Sequence, residues 1–166
     1  MESEDLATFK GEHYEINEAI NQPKPLQKPH PPLWVCGGGE KVTLKLLAKY
    51  GDYGNWDVDV EGFISKSEIL KQHCERENRN YEDVGRTLHT NVIIGTDKSD
   101  LNNKLEKISN DTGIPKDMYL KKPLVGVKNE VFDKIDEFES QGCVYLISYI
   151  ADIVWGDTLD ILKEKL

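Results

Sequence analysis

The sequence predicts an α/β fold built on a parallel sheet, and three observations support this prediction. Short apolar stretches of the kind that form buried strands recur along the chain. Between them lie longer stretches whose apolar residues repeat at helical spacing. The composition is that of a globular domain, with 38% hydrophobic and 31% charged residues in a chain of 166. About four βα units can be counted, half the number in a (β/α)8 barrel.

Residues 1–32 are expected to form a small β-hairpin followed by a connector. Apolar and aromatic residues flank Gly11 within residues 7–16, a pattern typical of a hairpin. Five prolines in residues 21–32 remove backbone donors, so this segment is predicted to be extended and without regular hydrogen bonding. It leads into the βα units of residues 33–166, and we expect the whole chain to be a single domain.

The βα units follow one another after the connector. The predicted elements are a strand at 33–36, a helix at 42–50, a strand at 55–58, a helix at 61–78, a strand at 86–95, a helix capped near Asp97 that ends before Asp111, a helix at 129–138, a strand at 143–149 and a helix from about 157 to 166. The run at 143–149 is the most apolar and is predicted to be buried. Residues 116–123 fit no regular element.

The clearest functional pattern is a strand that runs into three glycines and then into a helix. Residues 33–36 are apolar, as a strand covered on both faces requires. Gly37, Gly38 and Gly39 carry no Cβ atom that would keep a ligand away from the backbone. The first N–H groups of the helix point toward this gap with about half a positive charge, which favours a phosphate or carboxylate there.

Two observations count against a phosphate site at this position. The carboxylate of Glu40 would compete with a ligand phosphate unless it points sideways. The spacing of the glycines is neither that of dinucleotide-binding folds nor that of P-loops. A tight turn between a strand and a helix therefore remains an alternative explanation of the three glycines.

Charge and cysteine content narrow the class of protein. A net charge of −9 and a pI near 5.0 argue against a nucleic-acid partner. Cys36, Cys74 and Cys143 are too widely spaced to suggest a disulfide framework or a zinc site. The N-terminus is acidic where a signal peptide would be basic, and Ser148 and Asp152 interrupt the longest apolar run. We expect a cytoplasmic protein with no membrane segment and no metal.

The histidines give no catalytic constellation. His30 lies in the proline-rich connector and is interpreted as a loop residue, and His73 with Cys74 as an ordinary helix face rather than a metal site. His89 lies in a predicted strand, where it faces either a barrel mouth or the core, and we favour the core. Neither a Ser-His-Asp set nor a carboxylate pair is evident, so no catalytic residue is assigned.

Six segments share an ordered arrangement with one known family. They are FKGEHY (9–14), NQPKPLQKPHPP (21–32), GGGEK (37–41), LLAKYGD (46–52), GVKNEV (126–131) and GCVYL (142–146). Together they resemble the luciferase-like monooxygenase family, most closely its branch that uses coenzyme F-420. The resemblance covers essentially the whole chain.

This resemblance implies a TIM (β/α)8 barrel of which the chain is the C-terminal half, about the fifth to eighth βα units. It implies a cofactor, F-420 (8-hydroxy-5-deazaflavin) or FMN, and a small organic substrate. The cofactor phosphate is expected at Gly37, Gly38 and Gly39, less securely at Glu40. Asn55 and Trp56 are expected in the neighbouring wall of the cofactor site. The absent half supplies much of the substrate pocket in the family.

Three hypotheses about function follow. The first is a luciferase-like oxidoreductase or monooxygenase in which flavin or deazaflavin carries the hydride chemistry. The second is a non-catalytic remnant or structural subunit that keeps the fold. The third is a half-barrel that assembles with a copy of itself or with a companion chain. Half a barrel has two unpaired strand edges and a concave apolar face, which favour such association.

Overall fold

The computed structural model describes residues 6–165, and the chain divides into two compact units, Met1–Pro32 and Leu33–Leu166. In the first unit, strands β1 (Ala7–Lys10) and β2 (Glu15–Ala19) pair antiparallel, which confirms the predicted hairpin. The backbone N–H of Gly11 closes the turn by donating to the carbonyl of Tyr14. Residues 20–32 form no helix or strand, as the prolines predict.

The second unit, which we call the half-barrel, alternates strands and helices. Its elements are β3 (Trp34–Cys36), α1 (Thr43–Tyr50), β4 (Tyr53–Trp56), α2 (Val60–Arg76), β5 (Gly85–Gly95), α3 (Lys98–Thr112), α4 (Lys116–Leu120), β6 (Leu124–Val127), α5 (Lys128–Ser140), β7 (Cys143–Tyr149) and α6 (Thr158–Lys163). Each predicted strand and helix is present, although β4 begins and ends two residues earlier than expected and the last helix ends at Lys163; residue 166, its predicted end, lies outside the described residues. The sequence did not predict α4 or β6.

Four strands of the half-barrel form one continuous parallel wall. β3 pairs with β4, β4 with the first part of β5, and β7 with the other edge of β5. β6 pairs only with the last residues of β5, beyond the end of β4. This arrangement, with helices after the strands, is half of a (β/α)8 barrel and confirms the predicted fold class.

The core lies between the wall and the helices. Leu44, Leu47 and Ala48 recur at helical spacing and turn one side of α1 into this core. Helix α2 begins where the side chain of Asp59 accepts a hydrogen bond from the N–H of Gly62, and its Phe63 is fully buried. Helices α3 and α4 cover a second, smaller cluster around Ile93 at the end of β5.

The opposite face of the wall, which we call the concave face, is largely exposed, although Thr87 on it is buried. It carries alternate residues of the four strands, namely Trp34, Cys36, Tyr53, Asn55, Thr87, His89, Asn91, Tyr145, Ile147 and Tyr149. The expectation that β3 is covered on both faces and that β7 is buried was therefore wrong. Both strands are apolar on two faces, but only the helix-side face is covered by residues 33–165. Trp34 is 42% exposed and Tyr145 is 52% exposed.

Among residues 6–165, no helix combines the length and the apolar character that crossing a bilayer requires.

Candidate functional site

The glycine loop, residues Gly37–Gly39, leaves the wall at the carboxyl end of β3. Gly37 has φ of +106°, a conformation that residues with a Cβ atom rarely adopt. Its N–H donates to the carbonyl of Asn55, 3.2 Å away, which ties the loop to the end of the neighbouring strand. Ligands of parallel α/β sheets bind beyond the carboxyl ends of the strands, and the loop lies there.

The loop ends at the start of helix α1. Val42 is the N-cap of this helix, no side chain caps it, and its first turn contains no acidic residue. The N–H of Leu44 donates back to the carbonyl of Gly39, 3.0 Å away. A Cβ atom on Gly39 would lie only 2.8 Å from the hydroxyl of Thr43, so the Thr43 side chain would have to move to admit one. The helix start is therefore open to an anion.

Helix α2 brings two basic side chains against the loop. The ammonium group of Lys66 donates to the carbonyl of Gly38 at 2.9 Å, and the Nε2 atom of His73 lies 2.8 Å from the carbonyl of Glu40. The two residues are seven positions apart and thus share one side of the helix. Sequence reasoning treated His73 as an ordinary helix residue and overlooked Lys66. The helical spacing of Lys66 and His73 was the only sequence signal that they share a face. Their partners, Gly38 and Glu40, lie about thirty residues earlier in the chain, so the contacts themselves left no local pattern.

Glu40, expected near the phosphate, contributes its backbone carbonyl to His73. Its side chain is exposed and makes no hydrogen bond or ion pair with any of residues 6–165. The carboxylate is therefore not held at the start of α1 by a bond within the described chain.

Asn55 and Trp56 lie on opposite faces of β4. The Oδ1 atom of Asn55 accepts a hydrogen bond from the hydroxyl of Thr87 at 3.0 Å, and this hydroxyl also reaches the carbonyl of Gly54. Asn55 thus belongs to the concave face, beside Cys36 at the start of the loop. Trp56 is only 2% exposed, and its ring packs edge-on against Phe63 in the core. Between these two residues, only Asn55 faces the same space as the loop.

An aromatic cluster lies deeper on the concave face, toward the amino ends of the strands. The rings of Trp34 and Tyr53 stack with centroids 4.5 Å apart, and Tyr145 packs edge-on against Tyr53 at 5.6 Å. The neighbouring Tyr145 hydroxyl and partial burial raise the pKa of Tyr53. This cluster gives the floor of the concave face an apolar surface.

His89 lies on the concave face and is exposed, so the favoured interpretation as a core histidine was wrong. The cause is the alternation along β5, in which Leu88 and Val92 turn into the core and Thr87 and His89 turn away from it. Asn91 follows on the same face. Within residues 6–165, no three His, Cys, Asp or Glu side chains are grouped closely enough to hold a metal ion.

The glycine loop has the features that a phosphate group requires. Backbone N–H groups at the start of α1 are not capped by side chains, and their dipole favours a negative charge. Lys66 adds a positive charge at the carbonyl of Gly38. The residues present therefore fit the phosphate of a cofactor, with Asn55 and the aromatic cluster on the adjoining face.

Comparison with known proteins supports this architecture. No protein-family model matches the sequence. An F-420-dependent secondary alcohol dehydrogenase in complex with an F-420–acetone adduct superposes with a TM-score of 0.76 at 15% identity, over 99% of this chain and 56% of that one. The monooxygenase RslO1 from Streptomyces bottropensis gives 0.70 at 15% identity, over 99% of this chain and 56% of its own. The F-420-dependent tetrahydromethanopterin reductase from Methanopyrus kandleri gives 0.68 at 14%, over 92% and 54%.

These structures have the luciferase-like TIM-barrel fold and match nearly the whole of this chain. The family resemblance seen in the sequence is confirmed at the level of the fold. The chain spans about half the length of the structures it matches. Its fold is accordingly that of about half of the TIM barrel found in these structures.

Proposed function

We propose that the half-barrel binds the phosphate of a flavin or deazaflavin cofactor and belongs to an oxidoreductase or monooxygenase of the luciferase-like type. The observation that carries this proposal is the glycine loop, held by Lys66 at the carboxyl end of β3 beside the uncapped start of α1. The proteins of similar fold include F-420-dependent enzymes and a riboflavin lyase whose structure contains modified FMN, which supports F-420 or FMN as the cofactor.

Each part of this chain has a defined task in the proposal. When bound, the cofactor supplies the hydride chemistry. The N–H groups near Gly38 and Gly39 bind its phosphate, and Lys66 offsets the negative charge. Asn55 contacts the part of the cofactor that extends from the loop across the concave face. Trp56 acts from the core by fixing the position of β4, because its ring is packed against Phe63.

Binding of FMN compared with riboflavin tests the phosphate site, because riboflavin lacks only the phosphate. We expect Lys66→Gln to weaken FMN binding about tenfold and to leave riboflavin binding unchanged, since one charge-assisted hydrogen bond is lost. The matched control is Lys71→Gln, which removes an exposed lysine from the same helix. Fluorescence quenching of the flavin measures both affinities. Equal FMN affinities in the parent chain and Lys66→Gln would remove Lys66 from the site.

Activity is proposed to need completion of the barrel by a second copy of this chain or by a companion chain. The exposed aromatic residues of the concave face and the outer edges of β3 and β7 support this part of the proposal. Native mass spectrometry reads the oligomeric state and any bound cofactor together. We expect a dimer or larger species that carries a flavin or deazaflavin mass. A monodisperse monomer at high concentration would contradict the assembly.

The alternative is a non-catalytic subunit that retains the fold. The exposed concave face favours this alternative, because another polypeptide that covers the face would supply the substrate-binding elements. A protein that assembles but ignores added F-420 and FMN would support this alternative.

A further inference from the structure

His73 contacts the residue that follows the glycine loop but has no task in the proposed function. Its Nε2 atom lies 2.8 Å from the carbonyl oxygen of Glu40. Because a carbonyl oxygen can only accept a hydrogen bond, Nε2 carries the hydrogen and the imidazole is the donor. The two residues are 33 positions apart in the chain. This bond therefore ties helix α2 to the segment that connects β3 to α1.

Backbone hydrogen bonds anchor every residue of the segment Gly37–Glu40. The first and third residues of this segment are held by backbone groups of β4 and α1. The carbonyls of the second and fourth residues accept hydrogen bonds from the side chains of Lys66 and His73. Two of the four anchors thus come from one side of helix α2.

The three glycines make these anchors necessary. A residue without a Cβ atom adopts positive and negative φ about equally well, and Gly37 has φ of +106°. The conformation of the loop must therefore be set by contacts with other elements. His73 supplies such a contact after the last glycine, just before the chain enters α1.

The bond from His73 also fixes the direction of a backbone donor. In a planar trans peptide, the carbonyl and the following N–H point in opposite directions. Holding the carbonyl of Glu40 therefore sets the direction of the N–H of Lys41. None of the four anchors uses the N–H of Gly38, Gly39 or Glu40. The anchoring thus does not consume the donors that the proposed phosphate site needs.

We infer that His73 is a positioning residue of the phosphate site. It acts through the carbonyl of Glu40, which it holds so that the neighbouring N–H groups keep the arrangement that binds a phosphate. Its ring is half-buried in the last turn of α2, seven residues after Lys66. The role of His73 is positional, whereas Lys66 also supplies positive charge. This inference rests on the proposed function and adds a residue to its site.

Binding of FMN and riboflavin to variants of His73 tests this role. We expect His73→Ala to weaken FMN about three- to tenfold and to leave riboflavin unchanged, because one hydrogen bond that holds the phosphate-binding backbone is lost. His73→Gln should restore most of the FMN affinity, since its side-chain amide can donate to the same carbonyl. The matched control is Gln72→Ala, which truncates the exposed neighbour on α2 and should change neither affinity. Quenching of flavin fluorescence measures all of these affinities.

Hydrogen exchange of backbone amides gives a second readout that needs no cofactor. The N–H groups of Gly37 and Leu44 form the backbone hydrogen bonds at the two ends of the loop. Without ligand, both should exchange about three- to tenfold faster in His73→Ala than in the parent chain or in His73→Gln. The N–H of Gly113, which donates to the carbonyl of Ser109 at 2.8 Å, should exchange at the same rate in all three proteins.

The possible outcomes separate the role of His73 from the phosphate site itself. Parental FMN affinity in His73→Ala, with the effect of Lys66→Gln intact, would overturn the role of His73 alone. Equal losses of FMN and riboflavin affinity, or no recovery in His73→Gln, would show that His73 only supports the fold and would also overturn it. A parent chain that binds FMN no more tightly than riboflavin would overturn the phosphate site and this inference together. Far-UV circular dichroism verifies that each variant is folded.

Discussion

The ammonium group of Lys66 donates a 2.9 Å hydrogen bond to the carbonyl of Gly38, although the two residues are 28 positions apart. Helix α2 thereby fixes a loop that belongs to the preceding βα unit. A backbone carbonyl uses only one of the three donors of an ammonium group, so Lys66 can also contact an anion at the loop. The same bond therefore positions the loop and supplies it with positive charge.

Replacing Gly38 with glutamate should remove the phosphate site. A carboxylate at this position would lie next to Lys66, neutralise its charge and repel a phosphate, because a Cβ atom here is 2.7 Å from the lysine Nζ atom. We expect FMN affinity to fall at least about tenfold, as for the loss of one charged hydrogen bond. Gly38→Ala is the comparison: it displaces the end of Lys66 but adds no charge, so its loss of FMN affinity should be smaller than that of Gly38→Glu. FMN titration of both variants and of the parent chain measures the affinities. Equal affinities of Gly38→Glu and the parent chain would place the phosphate elsewhere.

Replacing Gly37 with alanine should strain the loop without filling the site. Its φ of +106° is unfavourable for alanine, at a cost of about 1–3 kcal/mol, while the space around the new methyl group is open except for Thr43 at 3.8 Å. Gly113→Ala provides a matched control, because Gly113 also has a positive φ, of +72°, and no neighbouring atom within 4 Å. Urea unfolding should show both variants destabilised. Only Gly37→Ala should also weaken FMN, and a loss of FMN affinity in neither variant would contradict the assignment of the loop.

The order of strands and helices could be predicted from the sequence because each element carries its own periodic signal. Residues 143–149 are apolar at nearly every position, and they form β7 with the predicted bounds. Helix α3 begins where Asp97 accepts hydrogen bonds from the N–H groups of Ser99 and Asp100, as its cap predicts. By contrast, α4 has five residues and β6 has four, too few to produce a recognisable period.

Which face of a strand is covered could not be predicted, because it depends on elements distant in sequence. Trp56 was expected near the cofactor, but Gly54 leaves room on the helix side of β4 for its ring and for Leu47. The contact of Lys66 with the glycine loop likewise depends on how α2 crosses α1. His89 was assigned to the core because a strand histidine without context gives no indication of its face. Tertiary packing decides each of these positions.

Cys36 should be the first cysteine to react with an alkylating reagent. It is exposed at the end of β3, whereas Cys74 is fully buried and Cys143 is half-buried. Burial raises the pKa of both the Cys74 and the Cys143 thiol, which lowers their thiolate content and slows their reaction. Timed iodoacetamide labelling at pH 8 with peptide mass spectrometry gives the order. If Cys143 were labelled faster than Cys36, the prediction would be wrong, and β7 would have to open often enough to expose its cysteine.

Asp100, in the first turn of helix α3, should make the stability of the fold depend on pH in the acid range. Burial raises the pKa of this carboxyl, but hydrogen bonds from the N–H of Thr96 at 2.9 Å and from the ammonium of Lys104 at 3.0 Å outweigh burial, so the net pKa is lowered. Lys104 is held in turn by Asp157 and by the carbonyl of Ile94 at 2.6 Å. Burial lowers the pKa of Lys104, and its bonds to Asp157 and Asp100 raise it above the ordinary value.

A carboxyl whose pKa is lower in the folded state than in the unfolded state stabilises the fold above its ordinary pKa of 3.8 and loses that contribution as the pH falls through the folded value. Asp100→Asn should therefore reduce the free energy of unfolding at pH 7 and differ progressively less from the parent chain below pH 3.8. The control is Asp117→Asn, whose carboxylate is 71% exposed and only loosely paired with Lys121 at 3.8 Å. Urea unfolding at a series of pH values measures all three proteins. If Asp100→Asn and the parent chain keep a constant difference down to pH 2, the ion pair with Lys104 does not stabilise the fold, and Lys104 is held by Asp157 and Ile94 alone.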